Sequence, residues 1–493
     1  MKKTHSIHTV FHLAGSLTMI LGVILLLPLA LAYFFHEHHL ILAFFLSSLI
    51  SVAAGYAMKR FTRPGAITTI QSMLICGVAW ILLSLFACLP FYFGAGATLL
   101  DSYFETVSGF TTTGITLFTD IESLPKSLLF WRSLIQWLGG LGILTFFLAI
   151  TFGADTSNFQ LFSAESHKID STRLTPSITR TVIILWGVYI LLTVSEVLTL
   201  KLLGVSLYDA VCHSLTTLST GGFSTYDASI DQFRRAGFEH YRAIEYAVAF
   251  FMFLGGVNFL LHFKILSGRF REVSKNTELR WFITIILCAT ILVMLEHYRH
   301  FPGATLSNLE NVFRQSLFTI VSLITTTGFG TTDINAPFFP VMSKQIFLLM
   351  MLIGGCVGST GGGIKVMRIV ILFRSFTGQL RRLWLPRRAL SEVVVDKKIV
   401  PGWEQKRVTG LFFGWLILLL GGGLITAFFS RLGSWESLSG MFSAVGNIGP
   451  CYISVQQMSE LPAVVKLTYI FGMLAGRLEI LPVLLVFNLK IWK

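Results

Sequence analysis

The stretch Thr325-Thr326-Thr327-Gly328-Phe329-Gly330 sets three hydroxyl residues and two glycines between segments apolar enough to lie in a bilayer. Backbone that is neither helix nor closed barrel survives at that depth only where protein or water covers it. The apolar segment before it, residues 311–324, is too short for a hydrocarbon core that takes ~20 helical residues, so it must enter and stop. A short helix running into a hydroxyl-rich strand that ends in glycine is the pattern of a pore helix and an ion filter. Carbonyls of such a strand can replace an ion's hydration shell, and glycine reaches the φ angles that turn successive carbonyls inward.

Working outward, the same arrangement recurs with a period of roughly 100 residues, each copy a span, a half-span, a strand and a returning span. In the first copy, residues 67–93 span, 102–111 form the half-span, Thr112-Thr113-Gly114-Ile115 the strand, and 128–152 return. The second uses 179–203, then 209–218, Ser219-Thr220-Gly221-Gly222-Phe223, and 243–266. The third runs 281–298, 311–324, the opening stretch, and 344–376. The fourth runs 408–430, 435–444, Val445-Gly446-Asn447-Ile448-Gly449-Pro450, and 464–490. Aligning the strands makes Gly114, Gly222, Gly328 and Gly449 equivalent, with the tandem glycines leaving the second register open by one residue.

The expected fold is therefore an all-α membrane protein with ten spanning helices and four re-entrant half-helices around one pore. Its parts are a two-helix region at 1–63, repeats at 64–153, 154–267 and 268–376, a basic cytoplasmic loop at 377–407, and a last repeat at 408–493. Composition agrees: of 493 residues 54% are hydrophobic and 13% charged, too apolar for a soluble core. The first apolar run, 13–35, is expected to be a retained helix, since no small-residue cleavage site follows it. Six cysteines without CxxC spacing argue for neither disulfides nor a zinc site. A net charge of +13 is of the sign that nucleic acid attracts, but with a cytoplasmic N-terminus most Lys and Arg fall inside and most acids outside. The outer acids would raise cation concentration at the mouth, modestly and subject to screening.

Ser102 with Glu105, Ser206 with Asp209, Ser307 with Glu310, and Ser434 with Glu436 suggest caps at the outer ends of the half-helices. Each half-helix would then point its C-terminal end, about half a negative charge, toward the membrane centre, a preference for cations.

Two further features stand out. Between Gly354 and Gly363 six residues are glycine, each costing about 1 kcal/mol in a helix, so the third returning span should break there. The pattern misses a phosphate loop, because Ile364 separates Gly363 from Lys365. A broken helix beneath a filter can lie across the pore and move aside. Arg477 stands deep in the last span, where a charge costs at least ~2.5 kcal/mol and needs a partner. Glu479, two positions on, points away from it, leaving the pore or the carbonyls of the broken loop. The glycines at 139–140, 255–256, 354–355, 472 and 476 fall at similar places in the four returning spans and suit close helix approach.

Four such repeats resemble the Trk/Ktr/HKT superfamily of potassium transporters, closest to the Trk-type membrane subunits, over nearly the whole chain. The resemblance rests on the glycine-bearing strands, the two extra N-terminal helices, the N-I-G-P strand and the G-R-L-E segment at Arg477. It implies a multi-pass protein of a bacterial cytoplasmic (inner) membrane that takes up K+ as its transported ion. Glycine in all four strands accompanies potassium selectivity in that family. The implied ion ligands are Thr112, Thr113, Gly114, Ser219, Thr220, Gly221, Gly222, Thr326, Thr327, Gly328, Asn447, Ile448 and Gly449. The implied gate comprises Gly358, Gly361, Gly362, Gly363, Lys365 and Arg477. A homodimer on a cytosolic ring of nucleotide-binding regulatory subunits of the TrkA type is implied as well, with the basic loop a candidate dock. The alternatives are a secondary transporter or symporter with alternating access, whose broken helices also bind ions at mid-membrane, and a membrane enzyme. No HExxH or GxSxG supports the enzyme.

Overall fold

The computed structural model describes residues 4–63, 65, 69–142, 178–301, 308–384, 392–396 and 398–488. Residues 143–152 of the first returning span, together with Ser307, Arg387, Arg388 and Lys397, lie outside the described residues. Among the described residues the chain is helical apart from a two-stranded hairpin, Val394–Val395 with Lys398–Ile399, in the basic loop.

Among the described residues six helices are long and apolar enough to cross a membrane: Ile7–Phe34, His38–Phe61, Ile70–Gly94, Arg180–Leu202, Thr277–His300 and Gly402–Phe429. These are the two N-terminal helices and the leading span of each repeat. A seventh, Tyr241–Gly256 with Phe259–Leu266, is bent by 104°. Of the three returning spans expected as continuous helices, the second and fourth are interrupted instead. The first is helical over Lys126–Gly140, and the third breaks between Val341–Leu352 and Val366–Arg382. In the fourth, Ala463–Leu478 gives way to Ile480–Phe487 at Glu479, which has φ 62°. Each helix end falls within two residues of a glycine, Gly140, Gly256, Gly354 or Gly476, where the freed backbone groups find partners in neighbouring segments instead of lipid.

The spans differ in how far they are buried within the bundle. In Gly402–Phe429 only 28% of the most apolar window is buried, and Ile417, Leu424 and Phe428 stand on one exposed face. In Ile70–Gly94 the figure is 72%, so this span lies inside the bundle. The two N-terminal helices cross closely through small residues: a Cβ on Gly15 would lie 2.8 Å from the Gly55 carbonyl oxygen. Glu37, in the turn between them, accepts from the Lys126 and Ser127 backbone N–H groups at 2.7 and 3.1 Å. That contact fastens the N-terminal pair to the first returning helix.

Candidate functional site

The four half-spans are Leu99–Phe110, Leu207–Leu218, Leu309–Ile324 and Ser434–Gly446. The Ser206 hydroxyl accepts from the Asp209 N–H at 3.1 Å, as expected, while in the fourth half-helix Glu436 accepts from the Gly433 N–H at 2.8 Å, so the cap is Gly433 and the expected Ser434 is the first helical residue. The first cap is one turn earlier than expected, Thr98 accepting from the Asp101 N–H at 3.2 Å. Thr98 and Asp101 repeat the same spacing, and Glu105 is employed elsewhere. Fully buried, it pairs with Arg132 of the first returning helix at 2.8 Å and accepts from the Leu117 N–H at 3.1 Å. A second buried arginine, Arg314 of the third half-helix, pairs with Glu245 of the second returning helix.

Beyond each half-helix the backbone makes the same turn. Thr112, Thr220, Thr326 and Asn447 have φ of 53°, 54°, 59° and 54°, and two residues on Gly114, Gly222, Gly328 and Gly449 have φ of 82°, 74°, 86° and 104°. The matched angles identify Gly222, rather than Gly221, as the equivalent of the other three. Strand N–H groups fold back onto the half-helices, Thr113 to the Ser108 carbonyl at 2.8 Å, Gly221 to Thr216 at 2.8 Å, and Thr327 to Ser322 at 2.9 Å. In the fourth strand Ile448 donates to Ser443 at 3.1 Å. With the donors so engaged, the strands are left to present acceptors.

The four strands close into a ring. A Cβ on Gly114 would overlap the Gly221 carbonyl oxygen, one on Gly222 that of Thr327, and one on Gly328 that of Ile448. One on Gly449 would lie 2.9 Å from the Thr113 oxygen, returning to the first strand. All four glycines line one vestibule of about 680 Å³ on the side where the strands end.

The glycine-rich segment lies on the opposite side of this ring. The Gly362 N–H donates to the Thr326 hydroxyl at 2.8 Å, and a Cβ on Gly361 would lie 3.0 Å from the Thr325 carbonyl. Thr360 donates from its N–H to Gly255 and from its hydroxyl to Leu218 at 2.9 Å. Gly358 and Gly363, with φ of 76° and 67°, mark the turns of this segment. Its neck is closed by Gly354 N–H on Ile364 at 2.9 Å and by Glu278, whose carboxylate accepts from Val357 and Met367 at 2.8 and 3.1 Å. Arg477 donates to the Thr360, Gly139 and Gly140 carbonyls, each at 2.6 Å, and to the Thr112 hydroxyl at 3.2 Å. Lys365 donates back to Gly361 and to Gly362. Segment, arginine and lysine line a cavity of about 100 Å³.

The site residues named from sequence thus form one connected body: strands at the ring, loop beneath them, Arg477 joining the two. Glu479 pairs with Arg368 of the helix that follows the loop. Three polar residues in this body went unremarked in the sequence: Gln136, Glu278 and Arg368. For Gln136 a signal existed, an amide alone in the apolar run Leu134 to Leu138. For Glu278 and Arg368, each near a basic cytoplasmic stretch, none did.

An all-helical membrane protein whose four helix, half-helix, strand and helix quarters close around one axis belongs to the class of single-chain, four-repeat transport proteins. The comparisons with known proteins name it further. The sequence profile of the TrkH family, described as a cation transport protein, matches residues 37–492, and the chain belongs to that family. It is 31% identical to the Trk system potassium uptake protein TrkH of Salmonella typhimurium over 91% of both chains. It is 32% identical to the protein of that name in Escherichia coli over 87% of this chain and 88% of the other. The crystal structure of the potassium transporter TrkH from Vibrio parahaemolyticus superposes with a TM-score of 0.85, at 28% identity and complete coverage of both. The chain is accordingly a multi-pass protein of the cytoplasmic membrane, of a transport family and not of an enzyme class.

Proposed function

We propose that the chain takes up potassium across the cytoplasmic membrane, conducting it through the ring of four strands, with residues 358–363 and Arg477 as the gate. The observation that carries this reading is the closed order of contacts from Gly114 to Gly221, Gly222 to Thr327, Gly328 to Ile448 and Gly449 to Thr113. It gathers the main-chain oxygens of all four repeats at one place, as dehydration of a monovalent cation requires. The C-terminal ends of four half-helices point the same way and add negative potential there. The relatives named potassium uptake proteins support the choice of ion. Their description as parts of a Trk system supports a separate regulatory partner, read here as a cytosolic nucleotide-binding subunit beneath a homodimer.

The experiment is flux through the purified chain in liposomes with potassium and sodium on opposite sides. Potassium should pass in preference, with currents linear in voltage; turnover that saturates and depends on a co-ion would favour a symporter instead. Gly114→Ser should admit sodium, because its Cβ must displace the Gly221 oxygen. An unchanged ion preference in that variant would remove Gly114 from the filter.

A further inference from the structure

Three strands of the ring have a side chain just before the equivalent glycine: Thr113, Thr327 and Ile448. The Thr113 hydroxyl is joined to that of Thr111 at 2.7 Å and to the Asn447 amide at 2.9 Å, and Thr327 to Thr325 at 2.8 Å. The second strand has Gly221 there, followed by Gly222. Two successive glycines lose the most backbone freedom on ordering and offer no side chain to hold them, so this wall should be the loosest.

The space beside Gly221 is filled from elsewhere. Gln136, fully buried on the first returning helix, donates from Nε2 to the Gly221 carbonyl at 2.6 Å and accepts through Oε1 from the Phe223 N–H at 3.0 Å. One primary amide thus bonds the C=O of one residue and the N–H of the residue two on, as a neighbouring β-strand would, with Gly222 fixed between. A Cβ on Gly221 would run into the Gln136 side-chain amide. The φ of Gly221 lies outside the left-handed region, so what excludes a side chain is Gln136 and not the backbone. One turn before Gln136, and on the same helix face, Arg132 donates to the Ser224 carbonyl at 3.2 Å and stacks 4.0 Å over the Phe223 ring. One turn after it, a Cβ on Gly140 would lie 2.9 Å from Ser219. The helix therefore grips the strand along its length, with the amide at the centre.

We infer that Gln136 is a specificity-determining positioning residue: it holds the second wall of the ring at the width that prefers potassium, in place of the side chain Gly221 lacks. This rests on the ring acting as the filter. It also makes Gln136 and Gly221 alternatives for one volume, so each limits what the other can be.

The test compares four proteins in the liposome assay, all full chain and all checked for monodispersity in detergent. Gln136→Met keeps the bulk and loses both hydrogen bonds. Potassium flux should persist while the potassium-to-sodium ratio falls roughly tenfold, the scale of two ordinary hydrogen bonds. Gly221→Thr alone should lose selectivity too, through collision. Gln136→Ala combined with Gly221→Thr should recover the ratio to within about threefold of the parent, because the new side chain occupies the vacated volume. A parental ratio in Gln136→Met, abolition of all flux in that folded variant, or a double variant no better than Gly221→Thr overturns the inference. Should Gln136→Met not accumulate, the comparison of Gly221→Thr with the double variant still decides it. Absence of potassium flux in the parent protein sinks the filter reading itself, a separate result.

Discussion

Threonine is a poor residue for left-handed backbone, because its branched Cβ crowds the carbonyl at positive φ, yet three of the four turns that open the strands use it. Each such residue costs on the order of 1 to 3 kcal/mol and persists only where its surroundings hold it. Two of the hydroxyls have such a hold: Thr112 accepts from Arg477 and Thr326 from the Gly362 N–H, so in the first and third strands the strained residue also ties the strand to what lies beneath it. Thr326→Val should leave the Gly362 N–H without its acceptor, at ~1 to 3 kcal/mol, and raise basal flux in vesicles; flux equal to the parent's would break that link. At this scale the hydroxyl-glycine strands and Arg477 were legible from sequence, because membrane depth forbids such residues without a reason. Glu278 was not, since what identifies it is a partner 79 residues away, and Gln136 showed only as a lone amide in an apolar run, its partner lying 85 residues away.

At the scale of elements, buried ion pairs fasten half-helices to returning helices: Arg132 to Glu105 in the first repeat, Arg314 to Glu245 between the third and second. Removing one member of such a pair leaves a bare charge and costs ~3 to 5 kcal/mol, more than removing both. Arg132→Met should therefore lower the thermal midpoint in detergent further than Arg132→Met with Glu105→Gln; the reverse order would mean that the pair is not what holds the half-helix. Deleting residues 358–363, whose neck is closed independently by Gly354 and Ile364, should raise flux and leave the fold intact. No change in flux would remove the gate assignment. The third break was legible in its glycine content. The bend after Gly256 and the turn at Glu479 were not, because one or two glycines in an apolar run read equally well as close packing, and here they serve both ends.

For the molecule as a whole, the fourfold plan was legible because the bilayer allows so few ways to bury a strand. The order in which strands meet, and the shape of the mouth, had to be seen. Outer acids had suggested a field that gathers cations. The vestibule itself is lined by Asp227, Asp231 and Asp333 against Arg132, Arg234 and Arg235, and both Arg234 and Arg235 pair with Asp231. Arg132 is already paired with Glu105, so the charges around the mouth nearly balance with a small negative excess, and the pull on cations rests mainly on carbonyls and helix ends, which added salt screens little. Raising an impermeant salt from low to physiological strength should change the initial potassium flux by less than about twofold; a steep fall would restore the charged mouth.

A ring assembled from four identical subunits can only be altered on every side at once. Here all four sides are written separately in one polypeptide, so a single codon changes a single side, and a substitution ruinous in four copies can be borne in one. The paired glycines of the second strand and the asparagine of the fourth are instances of that freedom: each side can depart from the others in a small, lopsided step while the remaining three keep their geometry.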